Sequence, residues 1–494
     1  MQQKFTNKLL WLLTKRNTND NIFHVWNRYY NLLRVKGVIN MESLLYLGIM
    51  LAVICVWFLA FKRPVYEAVL LAFVVLLFVT NTWGNVLGYI NEGLSTSLLY
   101  SMVAFVAMSI LLTKTKIVDS CIAVILSLIG RIRGGAGYTA VIASAFMGAL
   151  SGSGPGNVMA TGSLTIPAMK RSGFPAELAA NIESNASYLG NMIPPSSNIV
   201  AAMAAFSTFA AGAGIADVSQ GQFWIVLWAI ALWFVAQRVI MVWAFCKHYK
   251  VQPMSKEELP DLKATFKAGW QALLLPVIIL LPFVLDALFA NTFFVARLGT
   301  TGAKYLSKSV LLFVGGISSI YACLIVKDKS TITPNKLARM FADGVKSISP
   351  AIGVCVFGYM IGAMFDDLGV AESLGTVISA WNFGKLGMVL AICVITCVMG
   401  MVVPGSSQVV IFGPVFITLL ANVGVNPLVA AAMLPCICGV MCGITPPLGL
   451  GMYAGMTIAQ SDFSKTFKNN LWWVAAQFIM QVAVLMGWLP LFGL

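Results

Sequence analysis

Charged side chains are scarce in this chain of 494 residues. Asp, Glu, Lys and Arg together make up 10% of the sequence, whereas hydrophobic residues make up 59%. A soluble globular protein has roughly a quarter of its residues charged, so this composition excludes a soluble globule and indicates an integral membrane protein. Segments that alternate polar and apolar residues are also lacking, which predicts helical spans rather than barrel strands.

Histidine is nearly absent, since His24 and His248 are the only two and both lie outside the predicted spans. A serine nucleophile needs a base, so the "SGSG" stretch at Ser151 does not indicate a membrane protease, and the chain is not predicted to be an enzyme. The cysteines lie in or beside apolar segments and lack the loop framework of secreted proteins. The "CICGVMC" stretch from Cys436 to Cys442 has no histidine nearby, which favours core packing over a transition-metal site.

Basic residues outnumber acidic ones, and the formal net charge is +14. Lysines and arginines cluster in residues 247–267 and 327–346, two segments that are separated by two predicted spans. The positive-inside rule places both segments in the cytoplasm of a multi-pass protein. The excess charge is therefore assigned to topology and to contact with anionic membrane lipids, and no basic patch interleaved with aromatic residues indicates a nucleic acid partner.

An internal repeat organises the chain. The stretches "GALSGSGPGNVMATGS" and "MGMVVPGSSQVVIFGP" each form a tip that is followed by a helix-starting proline and then by a proline-pair break. The two intervals between these features are 23 and 19 residues in the first copy and 22 and 19 residues in the second. The positions are Gly152, Pro175 and Pro194 in the first copy, and Gly405, Pro427 and Pro446 in the second.

Each copy predicts a re-entrant helical hairpin and then a helix that is broken within the membrane. The apolar runs beside each tip are shorter than the roughly 20 residues that a span requires, and a proline pair removes two backbone donors. Interrupted segments at matching positions of two halves are typical of a transporter's binding site. The predicted divisions are an N-terminal basic amphipathic extension (1–41), a first repeat (42–247) with hairpin 1 (about 136–170) and a broken helix (about 175–212), a cytoplasmic linker (248–267), and a second repeat (268–494) with hairpin 2 (about 386–421) and a broken helix (about 427–460).

The backbone of such a site determines its chemistry. The N-termini of half-helices suit a carboxylate or another anion, and the carbonyls before each proline pair, joined by side-chain oxygens, suit sodium. Small residues that merely allow close helix packing are the alternative, but two matched clusters favour a site. The candidate side-chain oxygens belong to Ser151, Ser153, Asn157, Ser187, Ser196 and Ser197 in the first half, and to Ser406, Ser407, Gln408 and Thr445 in the second.

Three stretches, "SGSGPGNVMATGSLTIPAMKRSGFPAE", "ASYLGNMIPPS" and "GITPPLGL", resemble the large membrane subunit of the tripartite ATP-independent periplasmic (TRAP) transporters, and the resemblance runs from about Met41 to the C-terminus. It implies an all-α, inverted-repeat transporter of the bacterial inner membrane that imports a small organic acid (a carboxylate) with sodium by an elevator mechanism. It also implies two partners, a small four-helix membrane subunit and an extracytoplasmic substrate-binding protein. No cofactor besides the coupling Na+ ion is expected.

The resemblance further implies where the ligands bind, with one sodium site between each tip and the break of the same repeat. The chain departs from the family pattern at Gly154, where relatives often have a serine, and in "GMVVPGSS", which lacks the acidic residue that usually follows the Gly-Met. The predicted sodium-binding residues are Ser151, Ser153, Gly154, Asn157, Gly190, Ile193 and Pro195 on the hairpin 1 side, and Gly405, Ser406, Ser407, Gly443, Thr445 and Pro446 on the hairpin 2 side. The predicted substrate-binding residues are Ser187, Asn191, Ser196 and Gln408.

Two other mechanisms stay open at this stage. A single-component carrier would use the same broken helices without a binding protein. Glu183 is a candidate for proton coupling in place of sodium. An ionisable group in a membrane is energetically costly, so its presence there indicates a function. The alternative for Glu183 is a buried partner of a serine or asparagine in hairpin 1. A purely structural subunit would not explain two matched sets of breaks.

Two expectations concern the rest of the chain. Apolar and aromatic residues recur at intervals of three and four between Ile22 and Leu33, which predicts an accessory helix lying in the membrane interface. The spans near Ser43, Tyr66 and Phe223 are expected to form a static scaffold beside the moving hairpins.

Overall fold

The computed structural model describes residues 41–494 apart from 62, 64, 96, 152–153, 195, 216–217, 255–256, 258, 371–372, 374–382, 402–404, 447–448 and 493. Every regular element in this part of the chain is a helix, which confirms the all-α prediction. The interfacial helix predicted near the N-terminus lies outside the described residues and stays a prediction.

The first half of the described chain contains ten α-helices. They are α1 (Met41–Cys55), α2 (Val65–Thr80), α3 (Val86–Ser95), α4 (Ser97–Lys114), α5 (Ile117–Ile129), α6 (Gly135–Ser151), α7 (Gly154–Arg171), α8 (Ala176–Ser187), α9 (Ser197–Ala213) and α10 (Gln220–His248). Local sequence explains several starts. Pro175 is the N-cap of α8, the Ser196 hydroxyl accepts from the Ile199 N–H at α9, and Ser219 forms a capping box with Gln222 at α10.

The second half of the described chain contains another ten α-helices. They are α11 (Leu262–Gly269), α12 (Leu275–Phe289), α13 (Val295–Ile325), α14 (Pro334–Asp367), α15 (Lys385–Gly400), α16 (Gly405–Asn422), α17 (Pro427–Leu434), α18 (Met441–Ile444), α19 (Leu450–Ala459) and α20 (Phe463–Met486). A π-helical turn, Pro435–Val440, joins α17 to α18. Pro435 has no N–H and cannot continue the regular hydrogen-bond ladder, so the helix widens there.

Apolar surface covers much of the outside of the molecule. In the described part of the chain, three helical stretches are long and apolar enough to cross a bilayer: Gly221–His248, Leu262–Asp286 and Pro427–Ile444. Shorter apolar helices include Tyr66–Thr80, Asn198–Ala213 and Lys385–Gly400. Many large hydrophobic side chains are exposed, among them Phe78, Leu324 and Ile479. Such a surface is expected of a protein that faces lipid.

The two repeats interlock at the centre of the fold. Helices α6 and α7 form the first hairpin, and α15 and α16 form the second. The returning arm α7 packs against α8 of its own repeat and against α19 of the other, while α16 packs against α17 of its own repeat and α9 of the other. The two broken helices are α8–α9 and α17–α19. Each hairpin therefore lies between the first half of one broken helix and the second half of the other.

A second group of helices packs against this core through α4 and α14. Helix α14 packs on α2, α3 and α4, and α13 packs on α4. The Phe223 helix, α10, contacts α6, α8, α17 and α20 on one side and α12 and α13 on another. It therefore lies between the hairpins and α13, and its place in a static scaffold stays a prediction.

Candidate functional site

The first hairpin touches the first break through two glycines. A Cβ atom built on Gly148 of α6 would lie 2.2 Å from the Gly190 Cα, and one built on Gly190 would lie 2.3 Å from the Gly148 Cα. Real side chains do not approach this closely, so the two backbones are in direct contact only because both positions lack a side chain. The hairpin thus reaches the break at the point where its helix loses regular geometry.

Asn157 joins three helices at the same place. It is fully buried, and its Nδ2 donates to the Ser144 carbonyl of α6 at 2.8 Å and to the Ser187 carbonyl at the end of α8 at 3.0 Å. These two bonds fix the direction of the amide. The Oδ1 atom accepts no hydrogen bond from the described residues, which leaves a buried neutral oxygen beside the break.

The first break consists of a 3-10 turn, Tyr188–Asn191, and the residues up to α9. Asn191 donates from Nδ2 to the Gly439 carbonyl of the π-helical turn at 2.9 Å, and its own carbonyl accepts from the Ser196 hydroxyl at 2.9 Å. Within the described part of the chain, the carbonyls of Met192 and Ile193 accept no hydrogen bond. The break is therefore anchored to the other repeat while it keeps free backbone oxygens.

The second hairpin meets the second break in a similar way. A Cβ atom on Gly405 would lie 2.4 Å from the Gly439 Cα, and one on Gly400 would lie 3.1 Å from the Cys442 Cα. The Gly405 N–H, at the start of α16, donates to the Cys442 Sγ at 3.1 Å, and that thiol donates to the Gly439 carbonyl at 3.2 Å. Cys442 stands four residues before Pro446, the position that Gly190 holds before Pro194.

The Tyr188 ring joins the first hairpin to the second break. It is nearly fully buried, and Cβ atoms on Gly154, Gly443 and Gly451 would lie 2.5, 1.7 and 2.2 Å from its ring carbons. Gly154 begins α7, whereas Gly443 and Gly451 lie on the two sides of the second break. The three glycines make room for one aromatic ring that belongs to the first break.

Glu183 of α8 is fully buried against the two arms of the first hairpin. Its carboxylate accepts from the Ser144 hydroxyl at 2.8 Å and the Ser187 hydroxyl at 2.9 Å, and also from the hydroxyls of Thr161 and Thr165. The donors come from α6, α7 and α8. Four hydroxyl groups solvate the carboxylate in place of water, which ties α8 to both arms of the hairpin.

The structure brings together many, though not all, of the residues that the sequence singled out. Gly154, Asn157, Gly190, Ile193 and Asn191 lie at the first break, and Gly405, Gly443, Thr445 and Pro446 lie at the second. Ser153 and Pro195 lie outside the described residues, as do the side chains of Ser151, Ser197 and Ser407. Gln408 is fully buried, Ser406 is half-buried, and the Thr445 hydroxyl donates to the Met441 carbonyl of its own helix at 2.6 Å.

Sequence reasoning missed Tyr188 and Cys442. A metal was the only special role weighed for Cys442, but its thiol bonds to the backbone of the second hairpin and break. The one available signal was position, because Cys442 stands where the other repeat has Gly190. No local pattern marked Tyr188, whose three glycine neighbours are far apart in sequence.

Comparison with known proteins identifies the family. The family model described as "Tripartite ATP-independent periplasmic transporter, DctM component" matches residues 44–492. The C4-dicarboxylate TRAP transporter large permease protein DctM of Pseudomonas aeruginosa is 27% identical over 362 residues, which cover 72% of this chain and 76% of that protein. The isethionate TRAP transporter permease protein DctMQ of Oleidesulfovibrio alaskensis is 24% identical over 69% of this chain and 49% of that protein.

The fold also resembles solved transporter structures. MtrF of Neisseria gonorrhoeae, described as one of a class of antimetabolite efflux pumps, matches with a TM-score of 0.61 and 14% identity over 84% of each chain. At that identity the likeness concerns the fold alone. The family match covers nearly all of the described residues, and the matched family consists of transporter permeases and not of enzymes. This chain belongs to the DctM-component family, the large membrane permeases of the tripartite ATP-independent periplasmic transporters.

Proposed function

We propose that the chain is the large subunit of a sodium-coupled importer of small organic anions in the inner membrane. The observation that carries the proposal is the paired geometry of the two breaks. Each break lies against the hairpin of its own repeat. In each break a proline stands four residues after a residue with a backbone carbonyl, Gly190 in the first break and Cys442 in the second. Proline has no N–H, so neither carbonyl has its helical donor. Such carbonyls on broken helices are typical of ion sites in secondary transporters.

We assign the free oxygens at the first break as the ligands of a sodium ion. The Asn157 Oδ1 is buried and accepts no hydrogen bond from the described residues. The carbonyls of Met192 and Ile193 accept none from these residues either. These are neutral hard ligands of the kind that coordinate Na+ in transporters with unwound helices. Together with the Gly190 carbonyl they would hold the ion, and the close contact at Gly148 would keep them in place.

Glu183 is better suited to anchoring than to proton transfer. Its four hydroxyl donors belong to the hairpin and to α8, and their bonds stabilise a carboxylate that stays in one position. Proton coupling through Glu183 is the alternative that the uptake experiment below decides.

A small organic anion is the substrate class that the site and the relatives support. The relatives above are named for C4-dicarboxylates and for isethionate, which are small acids with a carboxylate or a sulfonate. Helices α9 and α16 begin directly after the first break and the second tip, and the positive ends of their dipoles suit such an anion. The family name describes a three-part system, so we assign delivery to an extracytoplasmic binding protein and bracing to a small four-helix membrane subunit.

The two hairpins and broken helices form the moving part of an elevator in this proposal, with both hairpins re-entering the membrane from opposite sides. Helices α1 to α4 with α13 and α14 form the static part. The contact between α14 and the returning arm α16 is then a sliding boundary between the two.

Uptake into proteoliposomes tests the coupling ion. We expect uptake of an organic anion delivered by its binding protein to require an inward sodium gradient and to stop when choline replaces sodium, because choline cannot enter a site made of carbonyls. A pH gradient alone should drive no uptake. Sodium-independent, pH-driven uptake would overturn the sodium assignment and favour Glu183, and full uptake without the binding protein would favour a single-component carrier.

A further inference from the structure

Two adjacent asparagines on α20 face α8. Asn469 and Asn470 are both buried, with 9% and 1% of their surface exposed. Buried amides in an apolar helix are costly unless they are hydrogen-bonded, and each of these is bonded to a different asparagine of α8. The two residues have the same chemistry and neighbouring positions, but they contact different parts of the molecule.

Asn470 connects the ends of two half-helices. Its Nδ2 donates to the Ile444 carbonyl at 2.6 Å, and its Oδ1 accepts from the Asn185 Nδ2 at 3.2 Å. Ile444 is the last residue of α18, directly before Thr445 and Pro446 of the second break, and Asn185 lies in the last turn of α8, directly before the first break. One side chain therefore connects the ends of the two half-helices that precede the breaks.

Asn469 makes no such connection. Its Oδ1 accepts from the Asn181 Nδ2 at 2.9 Å, and Asn181 also donates to the Thr466 carbonyl of α20 at 2.9 Å. Asn181 lies one helical turn before Asn185 and so one turn further from the break. This pair fastens α20 to α8 without touching either break.

We propose that Asn470 is a positioning residue that fixes the backbone of the second break and thereby sets its affinity for sodium. The inference rests on the proposed function, and it adds a residue that does not bind the ion itself. A carbonyl at a helix end lacks its intrahelical donor, so the Ile444 peptide is free to reorient unless another group holds it. The Asn470 amide supplies that group, and Asn185 holds the Asn470 amide in turn.

A matched pair of variants tests this role. In proteoliposomes, Asn470→Ala is expected to raise the half-saturating sodium concentration by about tenfold or more, the usual cost of removing a group that orients an ion ligand. The maximal rate at saturating sodium should change far less. Asn469→Ala removes a neighbouring buried amide from the same helix, yet it should leave the half-saturating concentration within about twofold of wild type. Asn470→Gln, which keeps the donor, should recover part of the loss.

Each outcome has one meaning. A half-saturating sodium concentration that is unchanged in Asn470→Ala, or shifted equally in Asn469→Ala, overturns the positioning role. If Asn470→Ala does not insert, Asn185→Ala is measured instead. It should shift the same constant in the same direction, and no shift there also overturns the role. Sodium-independent uptake by the wild type is recognised before any variant is compared, and it overturns the proposed function and this inference together.

Discussion

Valine in place of Gly190 should abolish sodium-dependent uptake while the protein still inserts into the membrane. The first carbon of the new side chain would lie 2.3 Å from the Gly148 Cα and 2.9 Å from its carbonyl oxygen. Because these are backbone atoms, no rotation of a side chain relieves the overlap, and the hairpin must move away from the break. We expect uptake to fall by at least about 100-fold, which corresponds to about 2.8 kcal/mol.

Gly443→Val should have the same effect at the second break for a different reason. Its Cβ would lie 1.7 Å from a Tyr188 ring carbon, so here the obstacle is a side chain that another substitution can remove. In a Tyr188→Ala background, Gly443→Val should cost much less than it does alone, which is the non-additivity expected of two residues in contact. An equal cost in both backgrounds would show that the ring is not the obstacle.

Gly212→Val is the control for both glycine variants. Gly212 lies in α9, and a Cβ there would meet nothing within 4 Å. Uptake by this variant should stay close to that of wild type. Normal uptake by Gly190→Val and Gly443→Val at matched expression would refute the site.

A disulfide between α14 and α16 should stop transport completely. A Cβ built on Gly358 of α14 lies 3.3 Å from the Val410 Cβ of α16, close to the separation that a disulfide requires. If α16 slides past α14 in each cycle, the double variant Gly358→Cys, Val410→Cys should lose uptake on oxidation and regain it on reduction. The measurement is uptake before oxidation, after it, and after addition of a reductant.

The matched control joins two helices of the static group. A Cβ on Gly315 of α13 lies 3.0 Å from the Ala104 Cβ of α4, so Ala104→Cys with Gly315→Cys offers a similar geometry within the scaffold. This cross-link should leave uptake unchanged, as should oxidation of the wild type. A complete α14–α16 cross-link that leaves uptake intact would contradict the elevator.

Local sequence was enough to predict the features that depend on local chemistry. Proline and glycine act on their own backbone, so the tips near Gly152 and Gly405 and the breaks at Pro194 and Pro446 could be found from spacing alone. The family could be predicted from the same stretches, and the comparisons confirm it. The site residues named from these motifs stay predictions about ligands, although the structure gathers many of them at the two breaks.

Contacts between the repeats could not be predicted in this way. Tyr188 fits against Gly443 and Gly451, and Asn191 bonds to Gly439, but no periodicity relates residues more than 200 positions apart. The contacts of α10 could not be predicted either, because an apolar helix has the same composition whether it packs on the hairpins or on the scaffold.

Direct binding of radioactive sodium to the purified protein tests the central claim without substrate, binding protein or gradient. We expect the wild type to bind sodium saturably, with displacement by unlabelled sodium and not by choline. Gly190→Val and Gly443→Val should each bind fewer ions per chain than wild type, while Gly212→Val binds as many. Absence of saturable binding in the wild type, or undiminished binding in both valine variants, would contradict a sodium site at the two breaks.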